Sequence, residues 1–218
     1  METGQLRPDE MDVHVKNGTF RLAFVGMSNA GKSYRSRVLR DQCDFMWYEV
    51  DAAIQKDLGF ANMGDISEWM RQPYTDGFEQ RQKQYLDSEA RCTKLDTLDT
   101  GGRNLAFDTT GSVIYLDNDT REWLHNDCLI VNIDVGESDI ARMVRKYFEE
   151  PKPVVWGEMF NRQKDEQDDD ALFRCFPLLL EDRLRRYREF AHLSIPLVEL
   201  YDTSGEETLA IIRKYLGT

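Results

Sequence analysis

The chain has 218 residues, and its 40 Asp and Glu residues against 28 Lys and Arg residues give a formal net charge of −12. A chain of this length can bury about 70% of the surface that it exposes when unfolded, so it needs no metal or disulfide in order to fold. The negative charge repels a nucleic-acid backbone at long range, which argues against a nucleic-acid partner. The 4 cysteines form no C-x-x-C pair, so neither a zinc knuckle nor a dense disulfide framework is indicated.

Targeting and membrane signals are missing from the sequence. No stretch approaches the ~18 consecutive apolar residues of a membrane span, and the N-terminal residues Glu2, Asp9, Glu10 and Asp12 are too acidic for a signal or transit peptide. We therefore expect a cytoplasmic protein with no membrane partner. Because no repeat or flexible linker divides the chain, we expect one domain over residues 1–218, as a monomer or a weak dimer.

Short apolar segments alternate along the chain with longer segments of helical character. The predicted strands are residues 20–25, 45–50, 105–107, 129–135 and 195–200. The predicted helices are residues 32–40, 52–58, 66–72, 74–91, 119–125, 138–148, 172–192 and 206–216. This alternation predicts an α/β fold, with a parallel sheet covered by helices on both faces.

Two stretches interrupt the alternation. Residues 62–92 hold two helical patterns without a strand between them, and residues 149–170 are polar, contain two prolines and end in an acidic run. Insertions of this kind are typical of lids or irregular loops. We expect residues 149–170 to form a mobile lid with few apolar anchors, and interpret the acidic run 165–170 as a solvated loop or a helix start. Residues 20–61 and 171–218 would then supply the two parts of the core.

A complete phosphate-loop motif follows the first predicted strand and opens the first long helix. Its sequence, GMSNAGKS over residues 26–33, matches the pattern G-x-x-x-x-G-K-[ST]. Glycines let backbone N–H groups turn toward an anion, Lys32 reaches the β- and γ-phosphates, and the Ser33 hydroxyl can bind Mg²⁺. The expected nucleotide contacts are Gly26, Ser28, Asn29, Ala30, Gly31, Lys32, Ser33 and Tyr34. Since no N-K-x-D guanine motif is present, ATP is the predicted nucleotide.

Six further segments, together with this loop, resemble the shikimate kinases over about residues 22–216. They are residues 49–54 (EVDAAI), 62–70 (NMGDISEWM), 107–112 (FDTTGS), 140–142 (IAR), 152–155 (KPVV) and 183–191 (RLRRYREFA). The resemblance implies a three-layer P-loop kinase fold with a five-stranded parallel sheet, and transfer of the γ-phosphate of ATP to a hydroxyl of shikimate. It also implies that residues 62–92 form a helical acceptor-binding insert.

The resemblance and the positions of the residues suggest individual roles. Glu49, by resemblance, and Asp108, as the acid that ends a strand, are expected to help hold Mg²⁺ with Ser33. Asp51 could accept the proton of the acceptor hydroxyl, while Gly111, Ser112 and Arg183 would contact the acceptor by resemblance. Arg142 and Lys152 resemble the arginines that lie near the nucleotide.

Some residues depart from the family pattern. Glu79 follows Phe78 where the family has a second carboxylate-binding arginine, so we expect Glu79 to face the acceptor and to weaken shikimate binding. Arg81 lies roughly 200° around an ideal helix from Glu79 and is the alternative carboxylate ligand. Thr110 and Ser112 replace glycines, which stiffens this loop.

Simpler interpretations remain open for several of these residues. Asp51 could be the N-cap of the helix that follows it, Asp108 a turn residue, and Arg183 part of a solvated basic helix face. The acceptor could be a sugar acid, a polyol or a nucleotide instead of shikimate. The chain could also be a nucleotide-binding regulatory module that no longer turns over.

Overall fold

A computed structural model of the chain describes residues 6–95, 97–149 and 153–217. Its five strands are β1 (Arg21–Val25), β2 (Met46–Glu49), β3 (Leu105–Asp108), β4 (Leu129–Asp134) and β5 (Leu193–Pro196). They form one sheet in the order β2-β3-β1-β4-β5, and every neighbouring pair is parallel. The predicted α/β fold with a five-stranded parallel sheet is confirmed.

Ten α-helices connect and cover these strands within the described residues. They are α1 (Pro8–Lys16), α2 (Lys32–Cys43), α3 (Val50–Leu58), α4 (Met63–Met70), α5 (Phe78–Thr93), α6 (Asn118–Asp127), α7 (Ile140–Glu149), α8 (Asp168–Phe190), α9 (Leu197–Leu200) and α10 (Gly205–Leu216). None of them combines the length and the apolar character needed to cross a membrane.

The sheet forms where the sequence is most continuously apolar. Residues 22–25, 105–108 and 129–133, in the three central strands, are buried, as expected for parallel strands covered on both faces. The edge strand β2 is only half-buried. Because all five strands run the same way, their carboxyl ends meet at one edge of the sheet, where ligands of such folds bind.

The last strand is shorter than the sequence predicts. The predicted strand 195–200 is wrong in its last four residues, because β5 ends at Pro196 and residues Leu197–Leu200 form α9. Proline has no backbone N–H to continue the ladder, so pairing stops there. Val198, in α9, is 79% exposed, which a continuing buried strand would not allow.

Helix α1 was not predicted from the sequence. It begins with Pro8 at its first position, and the Arg7 backbone N–H donates to Glu10 Oε2 over 2.9 Å. Met11 is buried, and Arg213 of α10 contacts Asp12 at 2.9 Å. The burial of Met11 and the contact with α10 therefore add to this local capping in stabilising the helix.

The segment predicted as a lid is more firmly anchored than expected. The expectation of few apolar anchors is wrong, since Val155 and Trp156 are almost fully buried. The Trp156 ring packs against Phe160 and Phe176, with centroids 5.6 Å from each. The Trp156 backbone N–H also donates to Gln82 Oε1 over 2.6 Å. Residues 150–152 of the predicted lid lie outside the described residues.

The acidic run at the end of this segment begins a helix. Asp168, Asp169 and Asp170 form the first turn of α8, where negative side chains interact favourably with the helix dipole. The interpretation of the run as a helix start is therefore confirmed for these three residues.

Candidate active site

The phosphate loop joins β1 to α2 with a backbone shape that only some residues permit. Gly26 has φ 136°, and a Cβ atom there would lie 2.9 Å from the carbonyl oxygen of Ile133. Gly31, at φ 92°, precedes the first residue of α2. The two invariant glycines of the motif thus occupy positions where a side chain would strain the backbone or clash.

Lys32 lies inside this loop. Its Nζ donates to the carbonyl oxygens of Gly26 and Met27, over 3.0 and 3.1 Å, and the residue is 8% exposed. The ammonium group is therefore positioned among backbone dipoles at the point where the loop can bind an anion.

Two acids lie side by side next to the loop. Glu49 and Asp108 are register partners at the carboxyl ends of β2 and β3. Burial raises the pKa of Asp108, although Ser33 and Lys32 oppose this shift. Burial also raises the pKa of Glu49, and the charges of Asp108 and Asp51 add to it. Both carboxyl groups would gain from a cation.

The residues present fit Mg²⁺ bound beside a nucleotide. Asp108 is 4% exposed, and its Oδ2 has no hydrogen-bond partner among the described residues. An unpaired buried carboxylate oxygen is costly without a cation. Mg²⁺ commonly uses one or two carboxylates together with phosphates and water, and Asp108 and Glu49 could supply these carboxylates.

A cavity of about 700 Å³ opens beside the loop. The loop side is lined by Ser28, Asn29, Gly31, Lys32, Ser33 and Tyr34. The remaining lining includes a set that we call the acceptor wall: Asp51, Tyr85, Thr110, Gly111, Ser112 and Arg183. The structure therefore brings most of the sequence-predicted site residues together. Gly26 and Ala30 are buried within the loop and do not line this cavity, and neither do Glu49 and Asp108.

Arg183 is buried rather than solvated. It is 5% exposed, its Nη2 donates to the carbonyl oxygen of Val155 over 2.6 Å, and its guanidinium carbon lies 5.4 Å from the centre of the Tyr115 ring. Its Nε has no partner in the described ranges. The interpretation of Arg183 as part of a solvated basic face is wrong.

Asp51 lies in the first turn of α3, whose N-cap residue is Glu49. The interpretation of Asp51 as the N-cap of this helix is therefore wrong. The position of Asp51 on the acceptor wall keeps it available for the role in proton transfer that the sequence suggested.

Glu89 of α5 is a site residue that the sequence reasoning missed. It is fully buried, its Oε1 accepts from the Thr110 hydroxyl, and its Oε2 accepts from the Ser112 hydroxyl over 2.5 Å. Burial raises the pKa of Glu89 to about 7. The helical spacing carried a signal, because Glu89 lies one turn after Tyr85 on the buried face of α5.

The expected placement of Glu79 in the acceptor site is wrong. Glu79 is exposed and does not line the cavity. Phe78 is buried and α5 begins there, so the next residue turns ~100° away toward solvent. Arg81 is not a substitute, because its Nε donates to Met70 O over 3.1 Å and its Nη2 to Thr75 Oγ1 over 3.0 Å.

The basic residues expected near the nucleotide are more dispersed. Arg142 pairs with Asp139 at 2.8 Å and lines a separate cavity of about 670 Å³ beyond β4 and β5. Lys152 lies outside the described residues. Lys146 of α7 lines the cavity of about 700 Å³ beside the loop instead, and nothing in the sequence pattern distinguished it from Arg145 beside it.

The strand order and the phosphate loop after β1 define an α/β P-loop fold. The structure is similar to that of shikimate kinase from Bacteroides thetaiotaomicron, with a TM-score of 0.55, 16% sequence identity and coverage of 91% of this chain and 99% of that chain. It is also similar to shikimate kinase from Acinetobacter baumannii in complex with shikimate, with a TM-score of 0.52, 18% identity and coverage of 89% and 92%.

The chain thus has the P-loop kinase fold of the shikimate kinases. No model of a protein family matches the sequence. No curated protein matches it either.

Proposed function

We propose that the protein is an ATP-dependent kinase that transfers the γ-phosphate to a hydroxyl group of a small metabolite. The observation that carries the proposal is one cavity lined by the phosphate loop and by the acceptor wall, with Glu49 and Asp108 beside the loop. Phosphoryl transfer needs mainly positioning and charge stabilisation from the protein. The cavity has residues suited to both.

Each group in the cavity has a role that follows from its chemistry. When bound, Mg²⁺ and ATP supply the phosphoryl group and neutralise its charge. Lys32 would bind the β- and γ-phosphates, and Ser33 and Asp108 would hold the metal with Glu49 beside them. Asp51 would accept the proton of the acceptor hydroxyl. Arg183, which joins the acceptor wall to Val155, would orient the acceptor and help to exclude water.

Because of the fold and the motifs, shikimate is the first acceptor to test. Sugar acids, polyols and nucleotides come next. The contrasting candidate is a regulatory module that binds the nucleotide but no longer turns over. The substitution of Thr110 and Ser112 for glycines is the feature that favours a changed or lost acceptor site.

The test is ATP consumption by the purified protein against a panel of hydroxylated acids, sugars, cyclitols and nucleosides. We expect at least one acceptor to raise ATP consumption well above the rate without acceptor, and Lys32→Ala to abolish the increase. Mg-ATP binding without consumption on any acceptor would favour a regulatory module, and no Mg-ATP binding would refute the proposal.

A further inference from the structure

The hydroxyl groups on the acceptor wall are oriented by one buried carboxyl group. Glu89 accepts from Thr110 through Oε1 and from Ser112 through Oε2. Glu89 is itself fully buried, while Thr110 and Ser112 both line the cavity. The carboxyl group thus lies directly behind the surface that an acceptor would touch.

This arrangement determines which hydrogen bonds the wall can make. A hydroxyl group has one hydrogen to donate, and an ionised carboxylate can only accept. With both hydrogens directed at Glu89, the two hydroxyls keep only lone pairs for a ligand. Thr110 Oγ1 also accepts from the Ser112 backbone N–H over 3.0 Å, and the two hydroxyl oxygens lie 3.0 Å from each other. When Glu89 is ionised, these two groups therefore accept hydrogen bonds from a ligand and donate none.

The charges around the acceptor wall also disfavour a carboxylate ligand. Asp51 and Glu89 place two carboxyl groups at this end of the cavity, against the single guanidinium of Arg183. One arm of that guanidinium is engaged with Val155 O, and Arg81, the other candidate arginine, is held by the turn between α4 and α5. A carboxylate ligand would meet acceptor oxygens and like charge, which is unfavourable in a buried site.

We propose that the acceptor is an uncharged polyhydroxylated molecule, a monosaccharide or a cyclitol, and that Glu89 is the positioning residue that sets this preference through Thr110 and Ser112. The proposal rests on the kinase function proposed above. A ring with adjacent hydroxyl groups donates hydrogen bonds to Ser112 and Asp51 and brings no charge of its own. Arg183 then serves as a donor to the ligand's oxygens, beyond its bond to Val155.

The first experiment compares acceptors that differ only in charge. The pairs are shikimate and its methyl ester, and glucuronate and glucose, with myo-inositol added to distinguish cyclitols from monosaccharides. ATP consumption, and binding by calorimetry in the presence of Mg-ADP, are measured at pH 8, above the pKa of about 7 of Glu89. We expect kcat/KM or affinity at least tenfold higher for the neutral member of a pair. An equal or higher value for the acid overturns the proposal, as does a failure of every neutral member to bind or to be phosphorylated.

The second experiment changes Glu89, the carboxyl group behind the acceptor wall. In Glu89→Gln the charge is removed and the side-chain amide can donate to one hydroxyl, which frees a hydrogen to point into the cavity. The ratio of kcat/KM for acid to kcat/KM for neutral acceptor should rise at least tenfold. Glu79→Gln, an exposed change on the same helix, should leave the ratio unchanged. An equal loss for both acceptors in Glu89→Gln would mean that Glu89 only supports the fold, and would overturn its role in specificity.

A further variant covers the case in which Glu89→Gln does not fold. Ser112→Ala removes one of the two acceptor hydroxyls, so the neutral acceptor should lose at least fivefold in affinity while the acid loses none. Equal effects on both acceptors would count against the proposal.

The nucleotide half of the function is measured separately in the same samples. Mg-ADP binding that Lys32→Ala abolishes supports the kinase assignment, whatever the acceptor result. If the wild-type protein binds no Mg-ADP, the kinase function and the acceptor proposal fail together. If it binds Mg-ADP and prefers the acids, only the acceptor proposal fails.

Discussion

The guanidinium of Arg183 donates a hydrogen bond to the carbonyl oxygen of Val155 over 2.6 Å, and this bond joins the acceptor wall to the segment that the sequence predicts as a lid. Val155 lines the same cavity and is itself buried. An acceptor that engages Arg183 therefore touches a group that also fixes the segment over the site. We therefore expect acceptor binding to stabilise this segment through Arg183.

Shortening this side chain should loosen the segment. In Arg183→Lys the charge remains, but the planar fork that reaches Val155 is lost. A hydrogen bond from a charged group is typically worth about 1.5–3 kcal/mol, so we expect faster limited proteolysis within residues 153–167 and weaker acceptor binding. Arg186→Lys, which changes a half-exposed neighbour paired with Asp182, is the matched control. Identical cleavage in the two variants would contradict the coupling.

Removing the phosphate-loop lysine should stop turnover without unfolding the chain. Lys32→Ala deletes a charged donor that can follow the charge developing on the phosphates, and groups of this kind commonly contribute ~3 kcal/mol or more to transition-state stabilisation. We expect kcat with the best acceptor to fall at least 100-fold. Lys56→Ala, on the exposed side of α3, should keep its activity. Near-wild-type rates in Lys32→Ala would exclude the phosphate loop from the reaction.

The fold could be predicted from the sequence because its signals are local and repeated. The buried apolar runs of β1, β3 and β4 and the motif at residues 26–33 fix the order of strand, loop and helix, and the carboxyl ends of the parallel strands place Asp51 and Asp108 near the loop. None of these inferences requires knowing which way a side chain turns. The polar helix α1 escaped prediction because Met11 is its one buried residue, so it shows almost no apolar periodicity.

The acceptor site was harder to predict because it depends on side-chain direction. The resemblance predicts Glu79 in the pocket because it follows Phe78 where the family has an arginine, but the burial of Phe78 turns it to solvent. Glu89 gave only a weak sequence signal, since an acid on the apolar face of a helix is recognised as buried only when its partners Thr110 and Ser112 are seen beside it. Contacts between residues distant in sequence decide such positions.

Neutralising Asp108 should weaken Mg²⁺-dependent nucleotide binding without lowering the free energy of unfolding. Burial raises the pKa of Asp108 in the folded state, so its ionised form is a cost to folding at neutral pH in the absence of a cation. In Asp108→Asn we expect an unchanged or higher free energy of unfolding in urea without Mg²⁺, together with a loss of at least tenfold in Mg²⁺-dependent nucleotide affinity. If nucleotide affinity keeps its dependence on Mg²⁺, Asp108 does not help to hold the metal.

The last prediction concerns the dependence of stability on pH. Burial raises the pKa of Glu89 to about 7 in the folded chain, against 4.5 for an unperturbed glutamate. Between these two values the folded state holds a proton that the unfolded state releases. The free energy of unfolding therefore falls as the pH rises through this window, and the stability lost is at most about 3 kcal/mol.

Glu89→Gln removes this titrating group and should therefore reveal how much Glu89 contributes to the pH dependence of stability. The groups that face Glu89 are Thr110, Ser112, Tyr85, Asp51 and Arg183; Gln can keep hydrogen bonds to the two hydroxyls without bearing charge. The variant should therefore gain stability relative to wild type by about 1–3 kcal/mol when the pH is raised from 5 to 8, as measured by urea unfolding at both values. Glu79→Gln, which removes a carboxylate from the exposed side of the same helix, controls for the change in net charge. A difference between wild type and Glu89→Gln that stays constant from pH 5 to pH 8 would show that Glu89 does not titrate in this range, and would contradict the raised pKa.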